Sequence, residues 1–243
     1  KGGFCMSVQL NWLGQGGYWI RCGETAVCLD PYLSFGCEEH GGHTRIAPPP
    51  LDPASIRADL FVFSHDHMDH LDEGTLRRID LRHNRFAGPD SCLNHLRRLG
   101  VPEENLLRLP RGGRLTVGDI ELFGVHAEHT EDSIGLIVRG HGQTVYFTAD
   151  TLWSDLLITD TRPFSPDVLV TCINGRWGNM DHRQAADLAR ALKVHLSIPT
   201  HYGMFAENTA DPADFVHEMQ EENVLLLTMY EPVALPDFHQ EEK

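Results

Sequence analysis

Between Phe61 and His70 the chain reads Phe-Val-Phe-Ser-His-Asp-His-Met-Asp-His. Three apolar residues and a serine lead into three histidines and two aspartates packed within six positions. An apolar run of this kind is a buried strand. It carries its last residue to a sheet edge, where the following loop can fan closely spaced side chains around one point. His65 and His67 are two apart, so in extended chain both rings leave on the same side. Asp69 and His70 lie past the bend and can face a second point nearby. Imidazole with carboxylate is the ligand set of Zn²⁺, Mn²⁺ or Fe, and two such clusters side by side make a two-metal hydrolytic site. The alternative, a solvated His-rich turn, loses weight once the rest of the chain is read.

Other segments repeat the device. Thr148-Ala149-Asp150-Thr151 follows an apolar run, and an aspartate at that strand end can offer one oxygen to each of two ions. Ile198-Pro199-Thr200-His201-Tyr202 is again a strand running into a histidine. Val125-His126-Ala127-Glu128-His129 supplies two more; strand alternation sets Val125, Ala127 and His129 on one face and His126 on the other. Asp30 closes Val27-Cys28-Leu29 and is suited to orient a ligand histidine by accepting its other ring N–H. Each residue alone could be a satisfied core or loop side chain. Their shared position at strand ends argues for one centre. His40 and His43 fall in a Gly-, His- and Pro-rich stretch, 35–50, which reads as an ordered loop near the site rather than a source of ligands.

Composition bounds the partners. A net charge of −15 leaves no basic stripe to displace counterions from phosphates, so nucleic acid is excluded as the expected partner and a small molecule takes its place. Six cysteines form no CxxC pair, and Cys28 and Cys172 sit in apolar runs as buried free thiols, which suits a reducing cytoplasm. Neither a leader nor an apolar run of about 18 residues is present, so no membrane partner is expected. The chain opens at Lys1 without Met, which leaves a missing N-terminal piece open. Homo-oligomerisation is left open as well.

The elements that position these residues follow from periodicity and turn signals. Strands are expected over 8–12, 17–21, 26–30, 60–64, 86–87, two within 114–125, a hairpin of 135–139 with 144–148, then 168–172, 196–199 and 224–229. Helices are expected over 73–79, 92–99, 183–192 and 214–222. The Gly-rich stretch 13–17 reads as a hairpin turn, because it lacks the order of a phosphate loop. No linker divides the chain, so one domain over 1–243 is expected. Strands alternate with helices in two runs, each ending in a ligand-rich loop, which fits two β-sheets face to face with helices on both outer sides.

The full series, Asp30, His65-x-His67-x-Asp69-His70, His129, Asp150 and His201, resembles the metallo-β-lactamase superfamily over nearly the whole chain. The resemblance implies an α/β (α+β) four-layer αβ/βα sandwich of two mixed sheets flanked by helices. Within the superfamily the chain looks most similar to the L-ascorbate-6-phosphate lactonase group and its small metal-dependent hydrolase relatives. The segments that carry this are Asn11-Trp12-Leu13-Gly14, 51–56, 64–72, Ile173-Asn174-Gly175-Arg176 with Gly178-Asn179-Met180, 198–202 and Ala210-Asp211-Pro212. Departures are the missing long C-terminal extension and a short 138–144 stretch where the lactonases carry an insertion. His129 matches the Ala-x-His-Ser/Thr form of the small relatives, while His126 aligns with a histidine of the lactonase form; His129 is favoured.

What the resemblance implies is a metal-dependent hydrolase. His65, His67 and His129 would hold one divalent ion and Asp69, His70 and His201 a second, with Asp150 bridging and Asp30 behind them. Mn²⁺ is favoured over Zn²⁺. Asp69 and Asp150 carry the chemistry, and Asn174, Arg176, Asn179 and Tyr202 face the substrate, Arg176 as a guanidinium for an anionic group. For Arg176 a surface salt bridge is the equal alternative. The expected reaction is hydrolysis of a small anionic ester, a sugar-derived lactone first and a phosphodiester second. A non-enzymatic metal or nucleotide sensor would need missing ligands, and none is missing.

Overall fold

Every residue of β3 (Thr25–Leu29) and β4 (Leu60–Val62) is buried. With side chains alternating, Val27, Leu29, Leu60 and Val62 enter one apolar core while Cys28 and Phe61 enter another. A strand buried on both faces needs a layer on each side, and the computed structural model, which describes residues 7–220 and 224–239, has that architecture.

The first sheet runs β13 (Pro232–Ala234), β1 (Gln9–Gly14), β2 (Gly17–Cys22), β3, β4, β5 (Phe86–Gly88), β6 (Leu106–Arg108). It is antiparallel as far as β3 and parallel from β3 to β6. The second runs β12 (Leu196–Thr200), β11 (Val168–Cys172), β10 (Gln143–Phe147), β9 (Ile134–Gly140), β8 (Ile120–His126), β7 (Arg114–Val117). Here β10, β11 and β12 are parallel and the rest antiparallel. Between the sheets lies the largest core, with Leu10, Ile20, Leu29 and Val62 facing Leu122, Leu136, Phe147 and Val170.

Outside the first sheet, Phe61, Phe63 and Phe86 pack on α2 (Glu73–Leu76) and α3 (Asp90–Arg98) through Leu76, Cys92, Leu93 and Leu96. Outside the second, Ile137, Tyr146 and Leu169 pack on α4 (Asp155–Thr161) and α5 (His182–Leu192) through Leu157, Leu188 and Ala189. Phe215 of α6 (Pro212–Met219) packs on Ala185 and Ala186 of α5. The sequence reading of two mixed sheets between helical layers is the fold observed. α5 starts where a capping box fixes it: the Asp181 carboxylate accepts the N–H of Arg183 and Gln184, and the Gln184 side chain returns to the Asp181 N–H. Among the described residues no helix is long and apolar enough to cross a membrane, and the five described cysteines are free and buried.

Several boundaries differ from expectation. No strand forms over 224–229: Val224 makes a single bridge to Ser197, and Leu225, Leu227 and Met229 pack against the inter-sheet core as the chain crosses from one sheet to the other. The last strand is β13 instead, on the edge beside β1, where Pro232 at its first position removes no needed donor. The helix expected over 73–79 is α-helical only to Leu76 and then tightens into i→i+3 turns, with Arg78 N–H bonding Thr75 O and Ile79 N–H bonding Leu76 O. α6 begins earlier than expected, at Pro212 behind an Asp211 cap, and ends at Met219; residues 221–222 of the expected helix lie outside the described residues. A short helix, α1 (Gly36–Gly41), sits in the 35–50 loop, and β6 and α4 were not anticipated.

Phe147 ties the sheets together: it is 2% exposed and meets the Tyr18 ring edge-on at 5.2 Å. Phe147→Ala should therefore lower the unfolding free energy by about 3–5 kcal/mol. Urea melts should show a lower midpoint at unchanged slope; a change under about 1 kcal/mol would place this ring outside the shared core.

Candidate metal centre

β3, β4, β10, β11 and β12 all point their C-terminal ends at one edge of the sandwich. β8 runs with β10 because both are antiparallel to β9. Carboxyl ends of parallel strands are where α/β sheets open to ligands. The chain leaves this edge through left-handed backbone at Asp30 (φ 42), Ala149 (φ 52) and His201 (φ 62), a conformation rare for residues with a side chain and concentrated at functional sites.

Three imidazoles from two sheets meet there. His67 Nδ1 lies 3.1 Å from His65 Nε2 and 3.1 Å from His129 Nε2. The network assigns the tautomers. His129 Nδ1–H donates to Gly178 O at 3.0 Å, which leaves Nε2 bare. Ser64 Oγ donates to Asp30 and accepts from His65 Nδ1 at 2.9 Å, which leaves the Nε2 of His65 bare too. Two lone pairs aimed at one nitrogen cannot all be matched by its single proton. Two nitrogens bound to one ion at about 2.0–2.1 Å and near-tetrahedral angles stand about 3.3–3.4 Å apart, close to the spacing found. A divalent cation fits this triangle.

The second group is Asp69, His70 and His201, whose ligand atoms lie within 4.8 Å of one another. His70 Nδ1–H donates to Asp30 Oδ2 at 2.8 Å, turning Nε2 inward, where it is buried without a hydrogen-bond partner. Asp69 Oδ2 lies 3.4 Å from His201 Nε2 and 3.8 Å from His70 Nε2. Asp150 stands between the groups. Its Oδ1 is 3.1 Å from His201 Nε2 and 3.3 Å from His70 Nε2, completing a hydrogen bond with neither, and its Oδ2 is 3.8 Å from His129 Nε2.

The electrostatics divide the histidines in two. Burial, then the neighbouring His70, holds His65 well below the usual imidazole range; burial and His129 lower His67. Burial would also lower His70 and His201, but the charges of Asp150 and Asp69 overcome it. His201 rises to about 9 and His70 goes well above its ordinary value. Against the same burial, His70 and His201 hold the Asp69 and Asp150 carboxyls below the usual range. Two ionised carboxylates beside bare imidazole nitrogens form a pocket of negative potential suited to cations.

Not every residue singled out in the sequence joins this cluster. His126 turns away, its Nε2 3.0 Å from Glu128 Oε2. β8 ends at His126, so the alternation that argued for His129 stops there, and His129 reaches the cluster from the loop. Asn174 is buried and donates to Asn208 Oδ1 at 2.7 Å. Asn179 is buried with neither amide atom partnered. Arg176 is exposed and donates to the Glu207 carbonyl at 3.0 Å rather than to a carboxylate. Tyr202 is half-buried, 5.0 Å from the Trp12 ring and packed on the core.

Gln15 was missed. It sits in left-handed backbone (φ 46) between β1 and β2, fully buried, with Nε2 donating to Asp69 Oδ2 at 2.9 Å and lying 3.3 Å from His201 Nε2. Its carbonyl accepts from Thr200 Oγ1 and from the His201 N–H. The available signal was the glycine after it: a Cβ on Gly16 would stand 2.7 Å from His70 Cε1, so only glycine lets this turn reach the ring.

Asp30 and Gln15 orient candidate ligands, and loss of such partners costs about 10–100-fold in metal affinity. Asp30→Ala and Gln15→Leu should weaken divalent-ion binding by that amount in chelator-competition titrations. His129→Ala should weaken it further, and His126→Ala should leave it unchanged. The reverse order for the two histidines would assign the site to His126.

Comparison with known proteins gives the same direction. A protein named "Probable L-ascorbate-6-phosphate lactonase" from Escherichia fergusonii is 26% identical over 257 positions, covering 84% of this chain and 72% of its own. A metallo hydrolase structure from the archaeon Ignicoccus hospitalis superimposes with a TM-score of 0.77 at 20% identity, covering 95% of this chain and 99% of that one, a likeness of fold. A UPF0173 metal-dependent hydrolase of Sulfurisphaera tokodaii is 30% identical over 227 residues, which is 91% of this chain and 96% of its own length. With residues 25–202 matching the Beta-lactamase superfamily domain, the chain belongs to the metallo-β-lactamase superfamily and is a metal-dependent hydrolase.

Proposed function

We propose that this hydrolase holds two divalent ions, Mn²⁺ in preference to Zn²⁺, and cleaves a small anionic ester, with a sugar-derived lactone of the L-ascorbate-6-phosphate kind as its substrate class. The observation that carries the two-ion reading is Asp150, with Oδ1 toward His70 and His201 and Oδ2 toward His129. A carboxylate so disposed serves both groups at once. Likeness to the Escherichia fergusonii protein supports the lactone. A histidine and aspartate ligand set with no thiol in it admits Mn²⁺ as well as Zn²⁺, and the resemblance to the lactonase group favours Mn²⁺. The five free thiols among the described residues support work in a reducing cytoplasm.

His65, His67 and His129 would hold one ion; Asp69, His70 and His201 the other. When bound, such ions supply Lewis acidity, making water nucleophilic near neutral pH and offsetting charge that develops on the carbonyl oxygen. Asp69 is kept ionised by His70 and His201, and Gln15 Nε2 holds its Oδ2. Its other oxygen is then available to accept a hydrogen bond from the attacking water and hold it in line. Arg176 spends one of its five N–H donors on the Glu207 carbonyl, and the remainder can meet an anionic group on the substrate.

A panel of lactones and phosphodiesters assayed with defined metals tests this reading. Lactone hydrolysis should dominate; preference for phosphodiesters would assign the alternative activity. Asp150→Ala should cut kcat/KM by more than about 100-fold, since even the residues that merely orient ligands cost about 10–100-fold. Elemental analysis of reconstituted protein should find two ions per chain, and a single ion would remove the bridging role. Arg176→Ala should lower kcat/KM about 10–100-fold for an anionic lactone and leave a neutral one unaffected. Equal losses on both would make Arg176 structural.

A further inference from the structure

Among the described residues seven large hydrophobic side chains are exposed, and three of them, Phe35, Met68 and Trp177, line the two hollows that flank the ligand cluster. Exposed apolar surface gathered at one place marks a binding site more often than scattered exposure does. The larger hollow is a cleft of about 850 Å³ whose wall includes His67. Phe35, Pro49, Pro50, Leu51, Met68 and Leu71 supply its apolar lining. That volume falls in the range of about 300–1,000 Å³ that takes ligands of drug size, well beyond a single sugar ring.

We propose that this cleft binds an apolar arm of the substrate, so that the enzyme acts on an ester or lactone carrying an alkyl or aryl group. The inference rests on the ester-hydrolase reading above and adds a subsite to it. The reacting group sits at the ligand cluster and the arm leaves past His67 and Met68. The smaller hollow, lined by Trp177, Asn208 and Asp69, shares Met68 with the cleft.

The charges around the cleft favour an apolar occupant. Arg77 is paired to Glu73 at 2.8 Å and Arg78 to Asp52 at 2.8 Å, so these cations are already matched, and His95 Nε2 lies 3.0 Å from Glu73. Glu39 and Asp66, also on the wall, disfavour an anion. The apolar wall is braced. Arg45 lies 5.1 Å over the Phe35 ring, and its guanidinium donates to the Ser34 carbonyl at 2.9 Å and to Glu38. Met68, 43% exposed between the ligands His67 and Asp69, is an unbranched side chain that adapts to whatever lies against it.

Two chain-length series decide the question. Straight-chain carboxylates from butanoate to decanoate are titrated calorimetrically into metal-loaded protein, and γ-lactones of matching alkyl length are assayed for kcat/KM. Carboxylate affinity should rise about fourfold per methylene until the cleft is full, and lactone kcat/KM should rise with it. Phe35→Asp and Leu51→Asp should flatten both series while Phe35→Leu keeps the slope. Phe35 is exposed and Leu51 only half-buried, and an unchanged far-UV spectrum and ion content check each variant's fold. A flat wild-type series, or a slope unaltered by both Asp variants, overturns the subsite. Length-dependent binding with no lactone turned over would remove the ester-hydrolase reading and leave the cleft. Turnover that ignores chain length would do the opposite.

Discussion

Asp30 is fully buried, and a buried carboxylate is costly unless its oxygens are met by donors. Here they are. Oδ1 accepts the Ser64 N–H at 2.8 Å; Oδ2 accepts the Ser64 hydroxyl and His70 Nδ1–H, the latter at 2.8 Å. The Asp30 N–H in turn bonds Val62 O at 3.0 Å, continuing the β3–β4 pairing past its last residue. One side chain thereby fixes where β4 ends, orients His70 directly, and orients His65 through the Ser64 hydroxyl. With those two rings fixed, the inward nitrogens fall where His67, His129 and Asp150 can meet them. Neutral asparagine could not accept three such bonds, which is why an aspartate stands at a place from which a charge would otherwise be excluded.

The candidate ligands come from both sheets. His65, His67, Asp69 and His70 follow β4; His129, Asp150 and His201 follow β8, β10 and β12. The distances between the groups are therefore set by how the inter-sheet core packs. Phe147 precedes Asp150 by three residues and packs in that core, so the layer that stabilises the fold also sets the spacing of the centre. Glycine finishes the fit at two points. A Cβ on Gly16 would crowd His70, and one on Gly178 would stand 2.9 Å from His129 Nδ1, the atom that donates to Gly178 O.

What could be read from the sequence was whatever a strand imposes by itself. Apolar runs that end in His or Asp disclosed 60–64, 144–150 and 196–201, because burial on both faces demands the run and the sheet edge receives its end. Gln15 was not legible because it lies at a turn tip, where no periodicity constrains a side chain and only its glycine neighbour hints at close approach. α4 was hidden for another reason: of its seven residues only Leu157 and Thr161 are buried, too few to make an apolar stripe, and Ile158 and Thr159 are β-branched. The run 224–229 alternates like a strand, but its apolar side chains close the end of a core rather than pair along an edge. His129 does stand at the cluster, but not for the reason of alternation, which ends with β8; the loop carries it there.

The two classes of histidine carry the last step of the argument. His65 and His67 are held neutral by burial and by each other's neighbours, which is the state in which imidazole binds a cation. His70 and His201 retain protons because Asp69 and Asp150 press on them. A divalent cation answers the same carboxylates more strongly than a proton on each ring does, and lets both rings turn neutral and donate their lone pairs. Cation binding on that side would thus be linked to proton release. The group built around Asp69 is also the one that Gln15 braces. Because both groups draw candidate ligands from both sheets, a cation bound at either would join the two sheets at that edge. Occupancy would then add to the stability of the whole fold by mass action.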